Sequence, residues 1–418
     1  MWQRFLPFSV SRQGTFCKPR RSRPSLQKVP ARLDGAGQTS ALIELGGVFR
    51  PQNLTTCFAG LKLPALTAQG VATWQAACPF ARLMKYLLSF LRYLLAALGG
   101  LALLCTLLSV LPTYVWWVQA LGFPRLQLLG VLVVAVGGLL WLGWPQHPRL
   151  LRLGLLAGLL ALAVQARYLW PYLPYTPKAV ADATPAQAQD PASRVRILVI
   201  NVLIDNRQDA RLRQLVRDTH PDVLLALEPD AWWVRALRPL HAAYPYRIEL
   251  PQANAYGLML YSRLPLLHPH TQDLEQPGVP SVITGMRLAD GRTFTFFGIH
   301  PTPPIPDNYP DGLGLRNVVL QTVARLLRQT PGPTVVAGDF NDVPWSSTTH
   351  QLVAGGVHDV RRGRGLYPTF SAQLPPLLRW PLDQFFVTPQ FRVVSLTRPP
   401  GVGSDHFPLL VELALAPD

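Results

Sequence analysis

Three long apolar runs stand in the first half of the chain, and short apolar runs closed by polar residues fill the second. The first long run extends from Tyr93 to Leu111, behind a shorter stretch from Tyr86 to Leu91. The second, Leu126 to Trp144, is 19 residues without a charge, long enough to cross about 30 Å of hydrocarbon as helix. The third, Leu150 to Trp170, is interrupted only by Arg152 and Arg167 near its ends, where Arg snorkels to the interface. None carries the polar stripe of an amphipathic helix. The pattern therefore predicts three transmembrane helices at about 86–111, 126–144 and 150–170, rather than three buried helices of a soluble domain.

Residues 171–193 are rich in Pro, Ala, Gln, Asp and Thr with no apolar period, and read as an extended linker. After it, Arg196–Val202 and Asp222–Glu228 are buried strands flanking an amphipathic helix at 208–219. Further strands are expected at 256–261, 282–288, 293–299, 333–338, 383–387, 391–396 and 408–414, with a helix at 314–329. Strand-rich segments with few helices predict an α/β domain over 194–416.

Charge changes how the first half is read. The 418 residues are 49% hydrophobic and only 15% charged, against about 25% for a soluble protein. The net charge of +16 would suggest a nucleic-acid binder, but it is unevenly placed. Residues 1–85 carry +10, residues 86–178 carry +6 with no acid, and residues 179–418 are neutral, with 21 Arg, no Lys and 21 acids. Arg82, Lys85 and Arg92 precede the first span, and Arg149 and Arg152 lie between the second and third. Only Arg125 lies between the first and second. The positive-inside rule then makes the N-terminus cytoplasmic and everything after about residue 171 extracytoplasmic. Trp116, Trp117, Trp170 and Tyr172 suit interfacial belts. The expected place is a multi-pass bacterial inner-membrane protein.

Residues 1–83 form a basic leader without periodicity. An Arg-rich transit peptide has that composition. Met84-Lys85-Tyr86 before the apolar run also looks like a bacterial start, which makes the leader disordered or absent from the mature protein. All four cysteines lie in the first 105 residues, so a metal in the C-terminal part must sit on oxygen and imidazole.

The chemistry-bearing residues lie at strand ends, where layered α/β enzymes collect them. Asn201 interrupts the first strand and Glu228 closes the second. His300 ends the strand Phe294–Ile299, and Gly338-Asp339-Phe340-Asn341 follows Thr334–Ala337. Asp383 opens its strand, and Gly403-Ser404-Asp405-His406 precedes the last. Singly each has a plain alternative: a solvated Glu, a Gly-Asp-x-Asn turn capping its own backbone, a core-edge His, a loop pair.

In that order, with Ser262-Arg263-Leu264-Pro265 and Leu382-Asp383-Gln384-Phe385-Phe386, these blocks resemble the endonuclease/exonuclease/phosphatase superfamily over about 194–416. With three preceding spans, the chain resembles a bacterial membrane-anchored branch of it. The resemblance implies a four-layer α/β/β/α sandwich of two packed sheets, preceded by the three transmembrane helices. It implies a metal-dependent phosphoric ester hydrolase using Mg²⁺, with Mn²⁺ the alternative. By resemblance, Asn201, Glu228 and Asp405 attend the metal, Asp339 handles the attacking water, and Asn341 and His300 hold phosphoryl oxygens. His406 contacts the scissile phosphate and Asp383 holds its imidazole. Gln384 departs from the His or Tyr that many members carry there.

The implied partners are a phosphoester substrate, nucleic acid or lipid-linked, and the membrane, with no obligate protein partner. A nuclease would need a basic groove, and a neutral domain gives it no support; a tether beside the bilayer suits a lipid substrate. For Arg361-Arg362-Gly363-Arg364, a substrate loop and a solvated charge run are both open. The loop Pro301–Pro310 is a candidate for the pocket entrance. The contrasting possibility is a non-catalytic binding protein retaining the fold, against which the intact acidic set stands.

Overall fold

The computed structural model describes residues 79–113, 115–274, 277–303 and 315–417, all in one compact unit spanning 72–418. Most of the basic leader, and residues 304–310 of the Pro-rich loop, lie outside the described residues.

Among the described residues three helices are long and apolar enough to cross a membrane. They are α1 (Pro79–Leu108), α3 (Arg125–Leu142) and α4 (Pro148–Leu169), with a short α2 (Trp116–Ala120) between the first two. The shorter stretch and the first apolar run form one continuous helix. Arg92 lies within α1 and reaches Gly143 O (2.8 Å) and Leu142 O (3.1 Å), where a cation suits the negative end of α3. At the opposite end of α3, Arg125 is buried with its guanidinium 3.6 Å from the Tyr168 ring centroid. It donates to Gln165 Oε1 (3.2 Å), and Gln165 donates to Thr106 Oγ1 (2.8 Å). Neutral acceptors and a ring face thus accommodate a cation inside an apolar bundle, with Nε left without a partner among the described residues.

The rest of the chain builds two six-stranded mixed sheets. The first runs β11 (Phe391–Thr397), β12 (Leu409–Leu415), β1 (Arg194–Asn201), β2 (Val223–Leu227), β4 (Leu258–Ser262) and β3 (Tyr246–Leu250). The second runs β5 (Leu266–Asp273), β6 (Pro280–Arg287), β7 (Thr293–Ile299), β8 (Thr334–Asp339), β10 (Asp383–Val387) and β9 (His358–Asp359). Each sheet has one parallel pair, β1 with β2 and β7 with β8.

Strand alternation sorts the side chains into layers. Ile197, Val199, Leu225 and Leu260 meet Val282, Phe296, Val335 and Phe385 between the sheets. The intervening Leu198, Ile200, Leu224 and Met259 face outward under α6 (Asp209–Thr219) and α7 (Ala231–Ala236). On the second sheet Phe297, Ile299, Val336 and Phe386 lie under α8 (Leu315–Gln329) and α9 (Ser347–Ala354). The result is the α/β/β/α sandwich expected.

Residues 171–193 are not a free extended linker. Thr184 caps a one-turn helix α5 (Pro185–Gln189) through a capping box. Ala181–Ala183 pair with Val393 at the open edge of β11, and Val180 enters the inter-sheet core. Two buried apolar residues, Tyr172 and Val180, and a few main-chain bonds fasten a segment whose composition shows no period.

Arg361-Arg362-Gly363-Arg364 is neither a solvated run nor, for two of its three arginines, a substrate loop. Arg361 is fully buried, bonded to Asp359 and to the carbonyls of Pro381 and Asp383 at 3.2 Å each. Arg364 bonds Val180 O (2.8 Å) and Asp182. Both fasten loops by satisfying backbone carbonyls that burial would otherwise leave unpaired. Arg362 alone keeps its guanidinium at a cavity wall.

Candidate active site

The register of the sheets gathers the polar residues. In the parallel pair β1 and β2, Asn201 lies opposite Leu227, so Glu228 is the next residue out. In the parallel pair β7 and β8, Ile299 lies opposite Gly338, which sets His300 beside Asp339. Asp383 pairs directly with Asp339 across antiparallel β10 and β8. The turn Ser404–His406 enters antiparallel β12. C-terminal ends of parallel strands and N-terminal ends of antiparallel ones therefore meet at one edge of the sandwich.

Close backbone approaches hold these ends. A Cβ on Gly338 would lie 1.9 Å from Ile299 O, and one on Gly257 would lie 2.0 Å from Pro229 O. The first presses β8 onto β7 beside Asp339. The second presses β4 onto the loop carrying Glu228, whose N–H donates to Gly257 O (2.9 Å). Glu228 and Asn341 both adopt left-handed backbone, φ 62° and 48°, a strain that non-glycine residues keep where surroundings enforce it.

Asp339 is the hub. Its Oδ1 accepts from Asn341 N–H (2.9 Å), fixing the carboxylate. Its Oδ2 lies 3.2 Å from Asn201 Nδ2, 3.4 Å from His406 Nε2 and 3.8 Å from His300 Nε2. Asn201 Nδ2 also donates to Glu228 Oε1 (2.6 Å), which lies 4.0 Å from His300 Nε2. His406 Nδ1 is 2.8 Å from Asp383 Oδ2. Asn341 Nδ2 donates to Pro301 O (2.9 Å) and lies 3.4 Å from His300 Nε2. Asp405 Oδ1 lies 3.4 Å from Ser404 Oγ. All eight residues singled out in the sequence are thus drawn into one edge of the domain.

Burial sets the protonation states. It raises the carboxyl pKa values of Glu228 and of Asp383. For His406 burial alone would lower the pKa, but the carboxylates of Asp339, Asp383 and Asp405 outweigh it and push it up to about 10. His406 with Asp383 is therefore an imidazolium–carboxylate pair.

The acidic set calls for a cation. Four acidic side chains, Glu228, Asp339, Asp383 and Asp405, meet only two histidines, His300 and His406, here, so acids outnumber bases. Among the described residues no Arg or Lys forms an ion pair with any of the four. Uncompensated charge at such depth is costly, and oxygen donors of this kind suit a hard divalent ion. Asp339, Asp383 and His406 present donor atoms within 4.8 Å of one another. His406 is already committed to Asp383, however, and an imidazolium does not ligate a cation. Asn201 turns its N–H toward the carboxylates, while its Oδ1 accepts from Leu203 N–H (3.0 Å). As placed it orients Glu228 and Asp339.

The family model for the endonuclease/exonuclease/phosphatase family matches residues 198–406, half of the chain. The chain belongs to that family. It is a phosphoric ester hydrolase of a kind typically dependent on a divalent metal. No curated protein matches it. Among solved structures it is similar to an endonuclease/exonuclease/phosphatase from Bacteroides vulgatus, with 22% identity, TM-score 0.44, and coverage of 53% of this chain and 99% of that one. It is similar to a humanised D. rerio TDP2, with 18% identity, TM-score 0.46, and coverage of 53% and 99%. A mannosyl-6-phosphatase of Bacteroides thetaiotaomicron has 18% identity, TM-score 0.41, and coverage of 53% and 100%.

Sequence reasoning missed several supports. Ser404 Oγ donates to Asn201 O (2.7 Å) and accepts from His406 N–H (3.0 Å), tying the turn before β12 to the end of β1. Thr369 Oγ1 accepts from Asp383 N–H (3.2 Å), and the Phe370 ring packs 4.9 Å from that of His406. Ser404 lies inside a quoted motif and was legible; Thr369 and Phe370 lie in irregular chain with no local signal. Gln384 donates to Asp342 O (2.6 Å), steadying the turn after Asn341.

Proposed function

We propose that this protein is a membrane-anchored, divalent-metal-dependent phosphoester hydrolase that works on the extracytoplasmic face, on phosphoesters carried by membrane lipids. The observation that carries the lipid reading is the wall of the site. From Thr369, whose O accepts from Phe407 N–H (2.9 Å), the chain passes Phe370 and Ala372, whose N–H donates to Asp405 O (2.6 Å). It reaches Leu377 and Leu378, which are 72% and 45% exposed. Leu377 O accepts from Gln127 Nε2 (2.6 Å), in the first turn of α3. Trp380, stacked on Phe370, meets Phe123 at 5.9 Å. A second tie runs from the turn after Asn341, where Trp345 Nε1 donates to Gly122 O (2.7 Å). Two exposed leucines level with the start of a span suit the interface of a bilayer. The only cationic groups among the eight site residues are imidazoles, which favours a lipid phosphate over a polyanion needing many neutralised phosphates.

Glu228 and Asp405 would hold Mg²⁺ or Mn²⁺, with Asn201 orienting Glu228. When bound, the ion supplies Lewis-acid stabilisation of phosphoryl charge. Asp339, one oxygen fixed by Asn341 N–H and the other among Asn201, His406 and His300, orients the attacking water and takes its proton. The imidazolium of His406 donates from Nε2 to a phosphoryl oxygen, and Asp383 keeps that ring charged and aimed. His300 and the amide of Asn341 donate to the remaining oxygens.

In phosphatidylcholine vesicles, Leu377→Asp with Leu378→Asp is expected to slow turnover of a vesicle-embedded phosphoester about tenfold or more. Turnover of soluble bis-p-nitrophenyl phosphate should stay within about twofold, because an Asp at each position penalises contact with lipid and leaves the site untouched. Equal losses on both substrates would reject the role of this wall.

A further inference from the structure

Away from the catalytic edge, a cavity of about 670 Å³ opens where the end of α4 meets α9 and the loop after β9. Arg167, Arg362 and His350 line it, with Tyr168 and Trp345 beside them. On the bundle side its wall is apolar, including Val164. None of the lining residues is acidic, and no ion pair for Arg167 or Arg362 occurs among the described residues. The nearest carboxylates are engaged elsewhere. Asp359 holds Arg361, and Asp342 accepts from Val343 N–H (2.8 Å) and Ser346 Oγ (2.6 Å). The two guanidiniums act on one another's neighbour: burial, then Arg362 and Arg167, push the pKa of His350 down.

Like charges gathered without a counter-ion around a concave, aromatic-lined space are costly unless an anion completes them. Two guanidiniums offer forked N–H donors matched to phosphate oxygens. Location narrows the anion. Arg167 stands in the last turn of α4, a helix of 22 residues, which at about 1.5 Å per residue matches a bilayer of about 30 Å. Trp170 follows it, exposed, as interfacial tryptophans are.

The geometry points to a phospholipid site at this joint, separate from the catalytic centre, in which Arg167, Arg362 and His350 hold the phosphate of an anionic headgroup while an acyl chain lies along Val164. It rests on the spans being in a membrane, and not on the chemistry assigned to Asp339. By clamping lipid between α4 and the Arg362 loop, it would set the height and tilt of the domain over the bilayer.

The test is native mass spectrometry of the full chain in dodecyl maltoside, titrated with dioleoyl phosphatidylglycerol, dioleoyl phosphatidylcholine or inorganic phosphate. Phosphatidylglycerol should bind about tenfold tighter than phosphatidylcholine, and Arg167→Gln with Arg362→Gln should remove that preference. Arg167→Gln alone, at an exposed position, should give part of the loss. Both variants should hydrolyse bis-p-nitrophenyl phosphate at the unaltered rate, showing that they fold. An inactive Asp339→Asn chain should bind lipid as the unaltered chain does, so the result stands apart from catalysis. Equal binding of the two lipids, or unchanged preference in the double variant, would overturn the site. Inorganic phosphate displacing phosphatidylglycerol at millimolar concentration would overturn the lipid as its ligand.

Discussion

Asp339→Ala is expected to lower kcat on any substrate this protein accepts by about 10³-fold, with KM changed less than about threefold. A positioned base contributes about 10²–10⁴, and Asp339 also supports the imidazolium of His406, which Oδ2 faces at 3.4 Å. Removing it takes away both the acceptor for the water proton and one of the carboxylates that keep His406 charged. Steady-state kinetics of the full chain with saturating Mg²⁺ reads this directly. A fall confined to KM would show that Asp339 serves substrate binding and that the hub has been misassigned.

Asp383→Asn should follow closely, lowering kcat by about 10²-fold or more. The carboxylate touches no substrate in this account: it aims and charges His406 through the 2.8 Å contact with Nδ1. It is a positioning residue, and a double-mutant cycle separates that role from a structural one. Because Asp383 acts through His406, Asp383→Asn combined with His406→Gln should be little worse than His406→Gln alone. Full additivity of the two losses would mean that Asp383 acts elsewhere, for instance on the metal.

Much of this site is legible in the sequence because the fold puts chemistry where periodicity stops. Asn201, Glu228, His300 and Asp339 are the polar residues that end four buried apolar runs. A strand buried on both faces writes itself as such a run, as β1, β2, β7 and β8 do. The elements that escaped notice are those with little to bury. β5, Leu266–Asp273, is mostly exposed, contains Pro269, and carries a register irregularity after Leu267. That is the composition of a protected edge strand rather than a core one. β3 is the opposite sheet's edge and half-exposed, and α7 and α9 are too short to show a helical period. The fastening of 171–193 and the burial of Arg361 depend on contacts with distant backbone, which no local pattern encodes. For the arginines after β9 the sequence left a substrate loop and a solvated run both open, and two of the three do neither: they hold the domain's own loops together.

The proposed activity, hydrolysis of lipid phosphoesters beside the chain's own apolar helices, has a direct test. The full chain in phosphatidylcholine vesicles, given Mg²⁺, should be offered phospholipid and lipid-linked phosphoesters, plasmid DNA and bis-p-nitrophenyl phosphate, each with and without EDTA. Turnover should be abolished by EDTA, restored by added Mg²⁺ or Mn²⁺, and fastest on a vesicle-embedded phosphoester. Turnover indifferent to EDTA, or DNA cleaved faster than every lipid substrate, would contradict it.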